Sequence, residues 1–268
     1  MTTNNVHPIG GIIPQLFLAF PFVLALVLYI LAARLSNRYH KPWPISRTLC
    51  WTLGSLMATI CVSGPLANRA HVHFEAHMAV HMLLGMLAPL LMAMAAPMTL
   101  LLRTLAPPAA RRFSRFLGSW LSRLLTHPVV ASSLHMGGLW CLYMTDLFSL
   151  MHESIPIYLI VHIHIFLAGY LFTISLIYID PIRHRVPFLL RAAVFVMASA
   201  SHGILSKHIY AYPPHGVPLT QAETAGLLMY YGGDVMDIAL VCILCLQWFR
   251  AAKPRIGQLN TPIFPPEK

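Results

Sequence analysis

The sequence predicts an all-α integral membrane protein, a bundle of about seven transmembrane helices with its N-terminus outside and its C-terminus inside. Three observations carry that prediction. Hydrophobic residues fill 57% of the 268 positions and charged residues only 10%, against roughly a quarter charged in soluble domains. The apolar residues fall in runs of about 20, the length that crosses a ~30 Å hydrocarbon layer at 1.5 Å per residue. The positive charges, finally, alternate from one loop to the next.

The runs between charges and prolines give seven spans: Ile12–Ala33, Thr48–Leu66, Ala76–Leu102, Leu124–Thr145, Ser154–Ile179, Phe188–Ile209 and Thr224–Phe249. Only short loops and two tails remain, so a single transmembrane domain over 1–268 is expected, without repeats or low-complexity tracts. The opening MTTNNVHPIG has no Lys or Arg. It lacks the positive n-region of a cleavable signal peptide, and the first span is expected to stay in the protein.

A net charge of +10 would point to nucleic acid in a soluble protein, but here its distribution excludes that partner. Loop 1–2 holds Arg34, Arg38, Lys41 and Arg47, and loop 3–4 holds Arg103, Arg111, Arg112, Arg115 and Arg123. Arg183, Arg185 and Arg191 surround loop 5–6, and Arg250, Lys253, Arg255 and Lys268 follow the last span. Of the 18 Lys and Arg residues only Arg69 and Lys207 fall on the other side. The positive-inside rule assigns the rich side to the cytoplasm, hence a multi-pass protein of the plasma (inner) membrane with a periplasmic or extracellular N-terminus and a cytoplasmic C-terminus. The partner of the basic face is the lipid bilayer, through anionic head groups.

Fifteen histidines are many for so apolar a chain, and this topology places most of them in its outer half. Only His40, His127 and His184 fall on the cytoplasmic side. His7, His71, His73, His152 and His215 lie in outer loops or the N-terminal tail; His77, His81, His162, His164, His202 and His208 lie in the outer parts of spans, and His135 sits mid-span. In HVHFEAHMAVHMLLGM, His77 and His81 are four apart, so their imidazoles leave one helix face a turn apart and can converge on one ion. Met78, Met82 and Met86 repeat that spacing on a neighbouring face. Imidazole with thioether suits copper, the sulfur favouring Cu(I). The competing reading is packing, with imidazoles hydrogen-bonded across spans and methionines filling the core or facing lipid.

His162 and His164 are two residues apart and cannot both face one interior site, and Gly169 a little further on would let another helix approach closely. His135 and His202 read as single buried groups. Asp234 and Asp237 lie well inside the last span, where an ionised carboxylate is costly. Asp234 is expected to pair with a histidine or a cation, as a group that fixes an imidazole tautomer, and Gly232 and Gly233 are expected to loosen the helix there. Cys242 and Cys245, a C-x-x-C pair in the inner half of that span, read as apolar packing, and no disulfide framework is implied. The chain has no G-x-S-x-G, Walker A, H-E-x-x-H or dinucleotide motif, so no enzymatic activity is expected.

The stretch HMAVHMLLGMLAPLLMAMAAP, His77 to Pro97, resembles the signature of the CtaG family of cytochrome c oxidase (caa3-type) assembly factors, which runs close to HMxxHLLLMxxAPLLxxLGAP. Three further stretches resemble the family in the same order: Thr126 to Phe148 around a central histidine, HIHIFLAGYLF from His162 to Phe172, and AGLLMYYGGDVMD from Ala225 to Asp237. The likeness covers residues 55–250. It implies an inner-membrane protein needed to build haem-copper oxidases, handling copper on the periplasmic side and meeting oxidase subunits or another copper chaperone. His77, His81, His135 and His162 carry over by position, whereas His164 and His202 are additions. The chain departs from the family at Val161, often Glu there, and at Gly232, Gly233 and Asp234, where the family often reads P-G-G.

The reading that follows is a copper-binding assembly factor with metal residues His77, His81, His135, His162, Asp234, Met78 and Met82. Its alternatives are a b-type cytochrome with haem clamped between histidines of two helices, a copper permease, and a scaffold in which the histidines only join helices.

Overall fold

A computed structural model describes residues 11–181 and 184–252. The described residues form helices and short connectors, with no strand among them. In chain order the helices are α1 (Ile12–Tyr39), α2 (Ile45–Val62), α3 (Pro65–Ala70), α4 (Phe74–Met94), α5 (Pro97–Thr104), α6 (Pro107–Leu117), α7 (Trp120–Leu125), α8 (Pro128–Met144), α9 (Leu147–Glu153), α10 (Ile155–Leu176), α11 (Phe188–Ala211) and α12 (Leu219–Ala252). His7, Arg183, Lys253, Arg255 and Lys268 lie outside the described residues.

Six of these helices, α1, α2, α4, α10, α11 and α12, are long and apolar enough to cross a membrane. The expected fourth span is helical as α8, but its 17 residues make it shorter than the other six. By length and composition the structure therefore supplies six spans where the sequence predicts about seven. The other boundaries shift too. α1 runs on to Tyr39 and α12 has 34 residues, both longer than the apolar run alone predicts. The last helix passes through Gly232 and Gly233 unbroken, so these glycines do not loosen it.

The third predicted span ends earlier than expected, and the chain itself shows why. Ala96 has φ 52°, in the left-handed region, and Pro97 follows. A proline lacks the N–H that would continue the ladder, so α4 stops and α5 starts afresh. The Asp180 carboxylate accepts the backbone N–H groups of Met98 and Thr99 at 3.0 and 2.8 Å, which caps the new helix. The loop predicted after span 3 is thus largely helical. Of its pieces, α6 buries no residue, and Phe116 and Trp120 are exposed beside Arg111, Arg112 and Arg115. Aromatic and basic side chains together suit a helix lying in the head-group layer.

Hydrogen bonds define the two ends of the bundle. At one end Gln15 of α1 donates to Asn68 Oδ1 at 2.6 Å and accepts from Gly64 N at 3.0 Å, while Phe74 N donates to Gln221 Oε1 of α12 at 2.8 Å. At the other end Tyr29 donates to the Ala95 carbonyl at 2.8 Å and accepts from Trp43 Nε1 at 3.0 Å. Arg47 and Arg103 stand over the Trp43 ring there, 4.9 and 5.2 Å from its centroid. Arg191 donates to the Leu176 carbonyl at 2.6 Å. We call these the histidine end and the basic end.

α4 is the most enclosed of the six long helices. Met78, Met82 and Met86 are all buried in the core, which settles the methionine stripe as interior. Its middle turn, Leu83–Leu87, is a π-helical turn. There α10 reaches it closely, because a Cβ built on Gly169 would overlap the Gly85 carbonyl. The close approach expected at Gly169 is therefore made, and its partner is backbone.

Gly169→Ala is expected to cost roughly 1–3 kcal/mol, since backbone at a helix contact cannot yield as a side chain can. Gly137→Ala, with nothing near its added methyl, is expected to stabilise by roughly 0.5–1 kcal/mol. Thermal melting of the two variants in detergent checks the opposite signs.

Candidate functional site

α4 and α10 both run from the histidine end toward the basic end, pinned at Gly85 and Gly169. About two turns before the pin on each helix stand His77 and His162. Both are buried, and both line one small cavity with His71, His152 and Tyr158. His77 lies among aromatic rings, its centroid 5.1 Å from Phe148 and 6.1 Å from Tyr143, both edge-on, and 6.4 Å from His152. His71 lies 6.2 Å from His152 and 5.0 Å from Tyr158.

Two of these imidazoles have a settled tautomer. Nδ1 of His162 donates to the Tyr158 carbonyl at 2.9 Å, and Nδ1 of His152 donates to the Phe148 carbonyl at 2.8 Å. A carbonyl only accepts, so the ring proton must sit on Nδ1 and the Nε2 lone pair of each neutral ring is left bare. Such a bond behind the ring is the usual way a metal-binding histidine is aimed.

One turn deeper the neighbourhood changes. His81 shares its helix with His77, but its partner is His202 of α11, with ring centroids 6.2 Å apart and planes inclined at 33°. The two rings of α4 thus have different imidazole neighbours, His152 and His162 around His77 and His202 beside His81, which we describe as two compartments. Gly233 of α12 makes room for His202, since a Cβ there would come within 2.6 Å of its Cε1. Neither ring nitrogen of His81, nor Nε2 of His77 and His202, has a hydrogen-bond partner among the described residues.

The other predicted residues fall around these two compartments. His135 is buried and stacks on Phe172 at 5.3 Å, within electrostatic reach of His81 and His202. Met78 receives the Tyr143 hydroxyl at 4.0 Å, and Met82 packs against Gly232. Asp234 is exposed on the bundle surface, within electrostatic reach of His202 and Asp237. His164 points away from His162, as the two-residue spacing requires, and donates from Nε2 to the Leu134 carbonyl of α8 at 3.1 Å. Cys242 and Cys245 are exposed on the lipid-side surface of α12. Among the described residues no three His, Cys, Asp or Glu side chains gather closely enough to hold one ion together.

Sequence reasoning treated His71 and His152 as loop residues and His202 as a single buried group. For His152 a signal existed, an i−4 carbonyl within reach on a short helix, but it becomes visible only once α9 is known to be helical.

Residues 27–251 match the family described as cytochrome c oxidase caa3 assembly factor (CtaG). The chain belongs to that family. The CtaG match includes all the histidines of both compartments. Among curated relatives, an uncharacterized protein of Mycobacterium leprae is 30% identical over 179 residues, which is 62% of this chain and 26% of that protein. Uncharacterized proteins of Mycobacterium bovis and Mycobacterium tuberculosis are each 30% identical over 165 residues, 57% of this chain and 24% of theirs. The CtaG chain spans about a quarter of the length of these relatives. No solved structure matches it.

A buried polar atom without a partner costs roughly 1–3 kcal/mol. In metal-free protein His81→Leu is therefore expected to raise stability by about 1 kcal/mol. His164→Leu, which breaks a made bond, is expected to lower it by about 1 kcal/mol. Melting temperatures recorded with a copper chelator present test both signs.

Proposed function

We propose that this CtaG-family chain helps assemble a haem-copper cytochrome c oxidase by binding copper within its histidine end and passing it to an oxidase subunit or another copper chaperone. The observation that carries the reading is the set of buried imidazole nitrogens on His77, His81 and His202 that have no hydrogen-bond partner among the described residues. Leaving such groups unpaired is costly, and a metal ion is a partner for the single lone pair that each neutral ring can offer.

The fit is to pairs rather than to a cage. An imidazole of about 1.1 Å radius with a metal–nitrogen bond of about 2.0 Å puts two rings about 6.2 Å apart, centroid to centroid, when both point at one ion in line. His81 and His202 stand at 6.2 Å. Cu(I), a filled-shell ion, accepts two ligands in line, and Met78 and Met82 beside these rings supply soft sulfur. In this reading His77 with His162 forms the first station and His81 with His202 the second, with His135 nearby and Asp234 acting on His202 from the bundle surface.

The same reading orients the chain. The basic end holds nearly all the positive charge and faces the cytoplasm, the histidine end faces outward, and α8 serves as a short seventh span in a single transmembrane domain. At about 1.5 Å per residue its length is at the lower limit for crossing. The protein would then lie in the inner membrane, N-terminus out and C-terminus in.

Purified protein loaded with Cu(I) under reducing conditions is expected to retain metal that a His77→Ala/His81→Ala variant does not. Equal retention by both proteins would overturn the proposal. The optical spectrum of the same preparation separates the haem alternative, since a b-type cytochrome would show a Soret band.

A further inference from the structure

The histidine end holds a second group of metal-binding side chains that the copper stations do not use. A cleft of about 330 Å³ opens there between the α3–α4 connection, α9 and the loop entering α12. His71, His73, His152, Glu153 and His215 line it. His71 and His152 also line the small cavity beneath, the one that contains His77 and His162. The two hollows therefore share a wall made of two imidazoles.

Resting on the copper reading above, we propose that this cleft is the entry site for the cation, where His73, His215 and Glu153 collect it and His71 with His152 hand it down to His77 and His162. The steps are short and even. His71 to His152 is 6.2 Å and His152 to His77 is 6.4 Å between ring centroids, each the span of one ion held by two imidazoles. His152 is the hinge of the route, and its Nδ1 bond to Phe148 leaves Nε2 as the only lone pair it can offer.

The electrostatics agree with this direction. Glu153 is exposed at the rim, and a carboxylate at the mouth of a low-dielectric cleft raises the local concentration of cations. The cleft is wide and lined by ligands on separate segments, so it can bind only loosely. The cavity below has room for about one water-sized group, at about 10 Å³. A wide weak site above a narrow one is the arrangement that accepts an ion and lets it go inward, whereas a tight cage at the rim would trap it.

The test transfers Cu(I) from its coloured bathocuproine disulfonate chelate to the purified full chain in detergent, following loss of the chelate colour by stopped flow. His73→Gln/His215→Gln changes two exposed residues and is expected to slow the initial transfer roughly fivefold or more while leaving the final copper per protein unchanged. His152→Gln is expected to slow it at least as much. Transfer at the wild-type rate in both variants overturns the entry site, as does a loss of final stoichiometry in them with the rate unchanged. Wild-type protein that takes up no copper overturns the parent reading instead, and His77→Ala/His81→Ala with wild-type stoichiometry overturns the assignment of the deeper stations while leaving the cleft result to stand.

Discussion

The contact between Gly85 and Gly169 sets the register on which the interior depends. Two parallel helices pinned at one level, each rising about 1.5 Å per residue, bring residues equally far from the pin to the same depth. His77 lies eight residues before Gly85 and His162 seven before Gly169, so both reach one cavity. No side chain stands between the backbones at the pin. A bulkier contact would separate the helices, and rings on α4 could not share a hollow with those on α10.

The second constraint is the burial of imidazoles at depths where hydrocarbon surrounds the bundle. Each has been given one of three fates. Some, such as His164, bond to a carbonyl of another helix and join it. Others, His152 and His162, bond to a carbonyl of their own helix and keep one nitrogen bare. The third kind, His81, has neither nitrogen satisfied among the described residues.

Much of the membrane architecture could be read from the chain, because hydropathy acts over whole segments and does not depend on which neighbours are present. The histidine-end clustering was legible for the same reason, as a matter of which loop each residue occupies. Pairing was not. Whether His81 turns toward His77's neighbours or toward His202 depends on the order of α10, α11 and α12 around α4, and helical spacing alone does not contain that order. The end of α4 was misplaced although Pro97 announced it, since the apolar run continues past the break to Leu102. The helices between Pro107 and Leu125 were hidden by their charge, which marks a loop in a hydropathy reading even where arginines merely face the head groups.

The π-helical turn at Leu83–Leu87 has an evolutionary corollary. A residue more than the α-turn requires offsets the phase of everything on either side by about 100°. Upstream, His77 and His81 look toward the hollows; downstream, Met92 and Leu90 look into the packed lower core. Losing a single residue here would rotate one half of the helix against the other and turn the imidazole face into a packing face. An insertion or deletion between Phe74 and Met94 therefore changes which faces the two halves of the helix present, whereas one in a connecting segment does not.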